Sequence, residues 1–247
     1  MINFALQFKS LNLLRKIAYF VVAFLLSSSV STAQKPWIRN LHDYDKQRLH
    51  FGFSLGINYT DFIVTLPGDF KYRDSVYVIE SYPQGGLNLG IITNLRLGEY
   101  FDFRFIPTLS FASRNIDYTL IYNGIEGEII TKKVESTFID LPVHLKFKSA
   151  RVHNYRFYVL AGGKYSIDLV SQEKVQEEDR QLVKLLKYDY GYEIGVGYDF
   201  YFELFKFSPE LRFFRGFNNL LVKDKLLINR SIDKLHSQIF VISFNFE

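Results

Sequence analysis

The stretch YDYGYEIGVGYDF, from Tyr188 to Phe200, places a large apolar residue at every second position and a glycine or an acidic residue between. Successive side chains of a β-strand point to opposite faces, so this period of two predicts a strand. One face of that strand is aromatic and aliphatic, and the other is small and charged. The two faces therefore belong to different surroundings.

The same alternation recurs along the chain, and it predicts eight strands. They run through residues 51–59, 87–97, 101–111, 139–148, 155–166, 188–200, 205–213 and 240–246. Short connections near 98–100, 150–154 and 203–206 alternate with long polar segments at about 62–85, 120–135, 170–187 and 216–236. An even number of strands with alternating short and long connections is typical of bacterial outer-membrane barrels, whose short turns are periplasmic and whose long loops are extracellular.

The N-terminal residues have the order of a secretory signal peptide. Lys9, Arg15 and Lys16 precede an apolar run from Ile17 to Leu26, and small residues lead to Ala33. The pattern predicts cleavage after Ala33. A membrane anchor is the alternative, but about ten apolar residues are too few for a helix that needs about 20. We expect a signal peptide over 1–33, a periplasmic segment over 34–48 and a barrel over 49–247.

A soluble β-sandwich or lipocalin-like barrel would show the same period of two. The export signal, the final FNF and the aromatic content of 17%, with 25 Phe and 17 Tyr, favour a face turned to lipid. We therefore predict an all-β fold, an eight-stranded antiparallel up-and-down transmembrane β-barrel with short periplasmic turns and long extracellular loops. Its localisation would be the outer membrane of a Gram-negative bacterium.

Composition excludes several classes of site. The chain has no Cys, which rules out disulfides and Cys-ligated zinc, and its five His show no metal-ligand spacing. Beyond residue 33 there are 27 basic and 26 acidic residues, so no basic surface for nucleic acid is indicated. We expect no cofactor, no metal and no nucleic-acid partner.

The polar face predicts a closed lumen. An eight-stranded barrel is just wide enough to be filled by side chains, and isolated charges could not be buried there. We therefore expect the inward charges to form a structural ion-pair network that plugs the lumen, and we do not expect a conducting pore. Its predicted members are Arg96, Asp102, Arg104, Asp140, Lys146, Lys164, Glu193, Asp199, Glu210 and Arg212.

A catalytic alternative uses three residues of the same face. Ser110, His144 and Asp140 could supply a nucleophile, a base and an orienting group. Such triads are recognised by geometry, and no nucleophile elbow accompanies these residues. Lumen packing is the preferred interpretation, and no catalytic residue is predicted.

One stretch of the predicted wall reads GGLNLGIITNLRLGEYFDFRFIPTLSF, from Gly85 to Phe111. It is the most characteristic of several segments that resemble the PorT family of outer-membrane proteins. HFGFSLGINYTDF at 50–62, TFIDLPVHLKFKS at 137–149 and YGYEIGVGYDFYF at 190–202 continue the similarity. The resemblance covers nearly all of the chain after the signal peptide and is weakest in the long loops.

That resemblance implies a role in the type IX secretion system of Bacteroidota, which exports folded proteins and in some species supports gliding motility. It implies a non-enzymatic subunit that acts as a scaffold or assembly partner beside other secretion-system proteins and outer-membrane lipid. It supplies no catalytic residue. Two alternatives stay open: a surface adhesin or ligand-binding barrel that acts through its long loops, and a lipid-modifying enzyme.

Overall fold

The computed structural model describes residues 39–65, 76–122, 125–170, 185–222 and 232–247. The predicted signal peptide, residues 1–33, lies outside the described residues, as do 34–38 of the predicted periplasmic segment. No helix among the described residues has the length and apolar character needed to cross a membrane.

The described chain begins with a single 3₁₀ turn, Tyr44–Lys46, and continues as nine strands. They are β1 (Leu49–Thr65), β2 (Val76–Arg96), β3 (Phe101–Phe105), β4 (Thr108–Tyr122), β5 (Ile125–Lys148), β6 (Tyr155–Asp168), β7 (Tyr188–Tyr201), β8 (Lys206–Gly216) and β9 (Lys234–Phe246). β3 and β4 both lie between β2 and β5 and are separated only by Ile106 and Pro107. Proline has no N–H to donate to the ladder, which accounts for the interruption. We call each full-length strand of the wall a stave and count β3 and β4 together as one. The wall therefore has eight staves, as predicted.

Every pairing is antiparallel and joins staves that are neighbours along the chain, up to β9. The ring then closes between β1 and β9, from Phe53 opposite Phe246 to Thr65 opposite Lys234. The architecture is the predicted up-and-down barrel. Closure leaves no edge in the ring of staves, because each has a partner on both sides.

Side-chain exposure separates the two faces of the wall. Outward residues such as Phe51 and Ile91 are about two-thirds exposed at 64% and 65%, whereas the inward Arg104 and Lys146 are both 0% exposed. This is the reverse of a soluble barrel, in which the apolar set is buried. Aromatic rings also pair across strands on the outer wall, as Phe213 and Phe240 do at 4.8 Å between centroids.

The segments 62–85 and 120–135 were expected to be loops, and that expectation was wrong for most of their residues. β2, β4 and β5 continue as a paired sheet, with Pro83 opposite Arg114 and Tyr122 opposite Ile125. β5 has 24 residues, and a strand needs only about 9–11 to span a bilayer. We call residues 76–83, 114–122 and 125–136 the projecting sheet.

The two ends of the barrel differ. The turn end carries the short connections 97–100, 149–154 and 202–205, together with the first residue of β1 and the last of β9. The hairpin end carries the projecting sheet. The turn end and the hairpin end each border one half of the lumen, which takes the same name.

Candidate functional site: a closed lumen

Ion pairs cross the turn-end half of the lumen and connect strands that are far apart in sequence. Arg104 on β3 reaches Glu210 on β8 at 3.0 Å and the Glu247 carboxylate at 2.7 Å. Lys146 on β5 donates to both oxygens of Asp199 on β7, at 3.0 and 3.1 Å. These side chains have almost no solvent exposure. Paired, hydrogen-bonded charges are the form in which ions can be buried at tolerable cost.

A second chain of contacts runs through the middle of the lumen. Arg212 lies 3.3 Å from Glu193 and 3.2 Å from Glu210, and so joins β7 and β8. The His144 Nε2 atom lies 3.3 Å from the same Glu193 carboxylate. The Tyr158 hydroxyl donates to Glu210 at 2.6 Å. Glu210 therefore connects the Arg104 and Arg212 groups into one network.

Tyr158 is placed by a glycine. A Cβ built at Gly197 would lie 2.3 Å from the Tyr158 ring, so only glycine leaves room for that ring. The ring in turn carries the Lys146 ammonium at 3.4 Å from its centroid. A cation held over an aromatic face in a dry site is stabilised by the ring quadrupole. The small residues of β7 thus make space for the central polar cluster.

Asp102, Asp140 and Lys164 take part in two further ion pairs of the lumen. Asp102 accepts from Lys148 at 2.5 Å, and Asp140 lies 3.5 Å from Lys164. The structure therefore brings nine of the ten predicted residues into ion pairs within the lumen.

Arg96 was expected in this network, and the structure contradicts that placement. Arg96 is the last residue of β2, and its Nε donates to the Gly98 carbonyl at 3.0 Å in the adjoining turn. Its parity, meaning the inward or outward face that the period of two assigns to a residue, is inward. Its position at the strand end nevertheless takes its long side chain to the rim. Parity determines the face of a residue and not its depth.

Sequence reasoning also missed Lys148, Tyr158, Lys206 and Glu247, which are among the buried residues that contact the predicted network. Lys206 lies 3.0 Å from Glu247, and both side chains are almost fully buried. Lys148, Tyr158 and Lys206 share the parity of the predicted set, and that signal could have identified them. Glu247 follows the last strand, where the alternation does not determine the contacts of a side chain.

The segment Arg39–Arg48, which we call the cap, lies across the turn end. Tyr44 stacks on His50 with ring centroids 4.0 Å apart, and its hydroxyl donates to Glu247 at 3.0 Å. Lys206 donates to the same hydroxyl at 2.8 Å. The cap is thereby joined to the lumen network itself.

Asp45 anchors the cap to the barrel wall. Its two oxygens accept from Arg156 at 3.0 and 3.3 Å, and Arg151 lies 3.5 Å away. Burial acts to raise the pKa of the Asp45 carboxyl, but the attraction of Arg156 and Arg151 outweighs it, so this pKa lies below its usual range. The Asn40 backbone N–H adds a hydrogen bond to Asn154 at 2.9 Å.

Aromatic rings contact two of the cations in the hairpin-end half of the lumen. Arg114 is buried between the rings of Phe62 and Phe138, 4.4 and 5.2 Å from their centroids, and forms no ion pair with any described residue. Lys164 lies over the Phe214 ring at 3.9 Å. Lys164 is thus held both by the Phe214 ring and by the Asp140 carboxylate.

The three residues of the catalytic alternative do not meet. Ser110 donates to Asn88 at 2.8 Å, and Asp140 accepts from Ser166 at 2.5 Å. His144 faces Glu193. No nucleophile–base–orienter chain links Ser110, His144 and Asp140. Within the described parts of the chain, no group of three or more His, Asp or Glu is placed to hold a metal ion.

A comparison with known protein families agrees with this architecture. The family model described as "Outer membrane protein beta-barrel domain" matches residues 32–222. No curated protein matches the chain.

Among solved structures, OprG from Pseudomonas aeruginosa aligns with a TM-score of 0.49 at 11% identity, over 81% of this chain and 95% of that one. Neisserial surface protein A aligns with a TM-score of 0.43 at 7% identity, over 81% and 98%. Ail of Yersinia pestis, in complex with a heparin analogue, aligns with a TM-score of 0.35 at 13% identity, over 81% and 99%. The family match covers more than half of the chain. It agrees with the closed ring of strands and with the exposed apolar side chains on the outer face of the barrel. The chain belongs to the outer membrane protein beta-barrel domain family and is located in the outer membrane.

Proposed function

We propose that this barrel is a non-enzymatic subunit of the type IX protein secretion machinery that acts as a scaffold or assembly partner and not as the conduit. The observation that carries the scaffold role is the closed lumen. Ion pairs between β3, β5, β7 and β8 fill its turn-end half, and the cap lies across the opening at that end.

Physical cost argues against conduction through this lumen. A continuous aqueous path would require Arg104 and Lys146 to separate from their carboxylate partners. The side chains of all these residues are almost completely buried. Removing one partner of such a buried pair costs about 3–5 kcal/mol, and several pairs would have to open together. A barrel of this width therefore serves better as a fixed surface for partners than as a channel.

The link to secretion comes from the resemblance of Gly85–Phe111 and the later strand segments to the PorT family. Gly85–Phe111 forms the later part of β2, all of β3 and the start of β4, and the later segments lie mostly in β5 and β7 of the barrel wall. The partners under this proposal are other proteins of the secretion machinery together with outer-membrane lipid. Gliding motility would depend on the barrel where the host uses the same machinery for movement.

Export of type IX cargo in a strain that lacks this gene tests the secretion role. We expect cargo to remain inside the outer membrane and to be released again when the intact gene is supplied. Normal export in the deletion strain would remove the secretion role.

Conductance of the purified protein in planar lipid bilayers tests the scaffold role separately. We expect no steady channel from the intact protein, because the lumen network and the cap both block the path. A stable open conductance would refute the closed lumen even if export depended on the gene.

A second candidate function is surface binding, and the projecting sheet is the observation that favours it. β5 continues well past the length needed to span the bilayer, and β2 and β4 accompany it. In outer-membrane barrels the end opposite the short turns is extracellular. Normal export together with lost attachment in the deletion strain would favour this second function.

A further inference from the structure

We propose that the outer wall carries a binding site for a membrane lipid with an anionic, phosphorylated headgroup. An acyl chain of that lipid would lie in a groove that crosses β6, β7, β8 and β9, and the headgroup would contact Arg215 at the hairpin end of the groove. The site is separate from the scaffold role, because it belongs to the lipid-facing surface and not to the lumen. Its test does not depend on cargo export.

The groove is a recess of about 530 Å³ in the outer wall, in a part where every strand is described without a gap. Exposed side chains of outward parity line it, among them Val159, Val196, Leu211 and Ile242. Arg212 also borders the groove, but its guanidinium lies 3.3 Å from Glu193 in the lumen. The volume is within the range of about 300–1,000 Å³ that is usual for small-molecule sites. An apolar recess of this kind suits a hydrocarbon chain.

Arg215 lies at the hairpin end of the groove, on the outward face of β8. It follows Phe213, a residue of the groove lining, by two positions, so its Cα is about 7 Å farther along the strand. The Arg215 side chain is exposed and forms no ion pair with any described residue. Its cross-strand neighbours Tyr192 and Gln238 carry no charge. A guanidinium without a described counterion therefore stands beside the apolar groove.

The height of Arg215 on the wall matches the level of lipid headgroups. Aromatic girdles mark both membrane interfaces of an outer-membrane barrel. Phe207 contacts Phe246 in the ring cluster of the turn end, and Tyr192 pairs with Phe217 beside Arg215 at 5.5 Å between centroids. From Phe207 to Arg215, β8 extends about 27 Å, which is roughly 20 Å along the membrane normal at a tilt of about 40°. The long arginine side chain can reach the boundary of an apolar band about 25 Å tall.

The charges on this part of the wall favour an anionic ligand. On β6, β7, β8 and β9 the charged residues of outward parity are Arg215 and Lys234, and both are basic. Asp61 on β1 also has outward parity, but it stands two strands from Arg215 and accepts from the Ser81 hydroxyl at 2.5 Å. Arginine suits phosphate in particular, because its planar guanidinium donates two parallel hydrogen bonds to phosphate oxygens.

The headgroup, and not the acyl chain, provides the preference for one lipid over another. A chain that enters the groove exchanges one apolar environment for another, since lipid tails are as apolar as aliphatic side chains. The Arg215 guanidinium distinguishes lipids by the charge of their headgroups. The groove fixes the position of the chain, so that phosphate and guanidinium meet in one geometry.

Quenching of tryptophan fluorescence by brominated lipids tests the proposal. Trp37 is the only tryptophan of the chain, so Trp37→Phe removes the background signal. In that background Tyr59→Trp places a reporter in the groove lining, and Leu109→Trp places one on β4, opposite β8 in the ring. The full-length protein is reconstituted in phosphatidylcholine vesicles with a minor proportion of dibrominated phosphatidylglycerol or dibrominated phosphatidylcholine. We expect phosphatidylglycerol to associate at least fivefold more strongly than phosphatidylcholine at the Tyr59→Trp reporter, and less than twofold more strongly at the Leu109→Trp reporter.

Arg215→Gln and Arg215→Lys form one matched pair of variants. We expect the preference at the Tyr59→Trp reporter to fall below twofold with Arg215→Gln and to stay above threefold with Arg215→Lys, which keeps the charge. Val196→Phe and Val143→Phe form a second pair, because the two valines are similarly exposed, at 43% and 41%, and only Val196 lines the groove. Val196→Phe should fill the groove and reduce the preference below twofold, whereas Val143→Phe should leave it unchanged.

Three results would overturn the proposal. One is the same relative affinity at both reporters, which would mean that headgroup charge does not act at a site. Another is a preference that survives Arg215→Gln or Val196→Phe. The third is a Tyr59→Trp reporter that neither brominated lipid quenches, which would mean that protein covers the groove, whether from this chain, a second copy or a partner.

Discussion

Replacing Lys146 by Met should destabilise the barrel by about 3–5 kcal/mol, the usual cost of removing one partner from a buried ion pair. Lys146 is completely buried, and its ammonium donates to both oxygens of Asp199 at 3.0 and 3.1 Å. After the substitution the Asp199 carboxylate would keep the Ser208 hydroxyl at 2.7 Å as its direct hydrogen-bond donor. Methionine has nearly the shape of the lysine stem, so the loss reports on charge and not on a cavity.

The double variant Lys146→Met, Asp199→Asn separates pairing from burial. With both charges removed, no uncompensated ion remains, so the double variant should be more stable than Lys146→Met alone. We expect a coupling energy of about 2 kcal/mol or more from the full cycle, which includes Asp199→Asn. Urea unfolding in lipid vesicles, followed by far-ultraviolet circular dichroism, measures all four proteins.

An exposed pair in the cap provides the matched control. Lys46 lies 2.7 Å from Asp43, closer than Lys146 lies to Asp199, but both side chains are more than two-thirds exposed. Exposed pairs contribute only about 0–1 kcal/mol, so Lys46→Met should change stability very little. A loss below about 1 kcal/mol for Lys146→Met, or strict additivity in the cycle, would refute the argument that burial makes the lumen pairs energetically important.

Three further predictions concern the wall, the lumen and the cap. Val143→Arg should cost about 2–4 kcal/mol in the same vesicle assay, because Val143 faces lipid, whereas Val143→Leu should be tolerated; equal stability of the two would reverse the assigned face. Gly197→Val should displace Tyr158 and cost about 1–3 kcal/mol by overpacking, while Gly197→Ala should cost less; an unchanged urea midpoint for Gly197→Val would contradict the observed packing. Asp45 has a lowered pKa in the folded protein, so its stabilisation of the cap is present above the ordinary Asp value of about 4 and is lost as pH falls through the folded value. Asp45→Asn should abolish that pH dependence, as measured by amide exchange across residues 39–48; a cap that stays protected in the variant, with the acid transition intact, would exclude Asp45 as its anchor.

The period of two was sufficient to predict the staves and their faces. Outward residues such as Phe157 and inward ones such as Lys164 could be assigned because side chains alternate strictly along a strand, whatever the strand pairs with. The alternation does not show how far two strands stay hydrogen-bonded to each other. The predicted strands therefore stopped where the alternating apolar residues stopped. The polar residues of 120–135 are held in strands by hydrogen bonds between β4 and β5, which do not depend on apolar side chains.

The eight staves, the outer-membrane type of surface and the polar character of the lumen all follow from the order of residues along the chain. The choice of partner for each buried charge depends on the three-dimensional fold. Arg104 and Glu247 are 143 positions apart and come together because the ring closes between β1 and β9. Arg96 has the same inward parity as Arg104 but reaches the rim, since its depth depends on where β2 ends. Parity is a local property of the chain, whereas depth and partner depend on register and closure, which arise from contacts between distant strands.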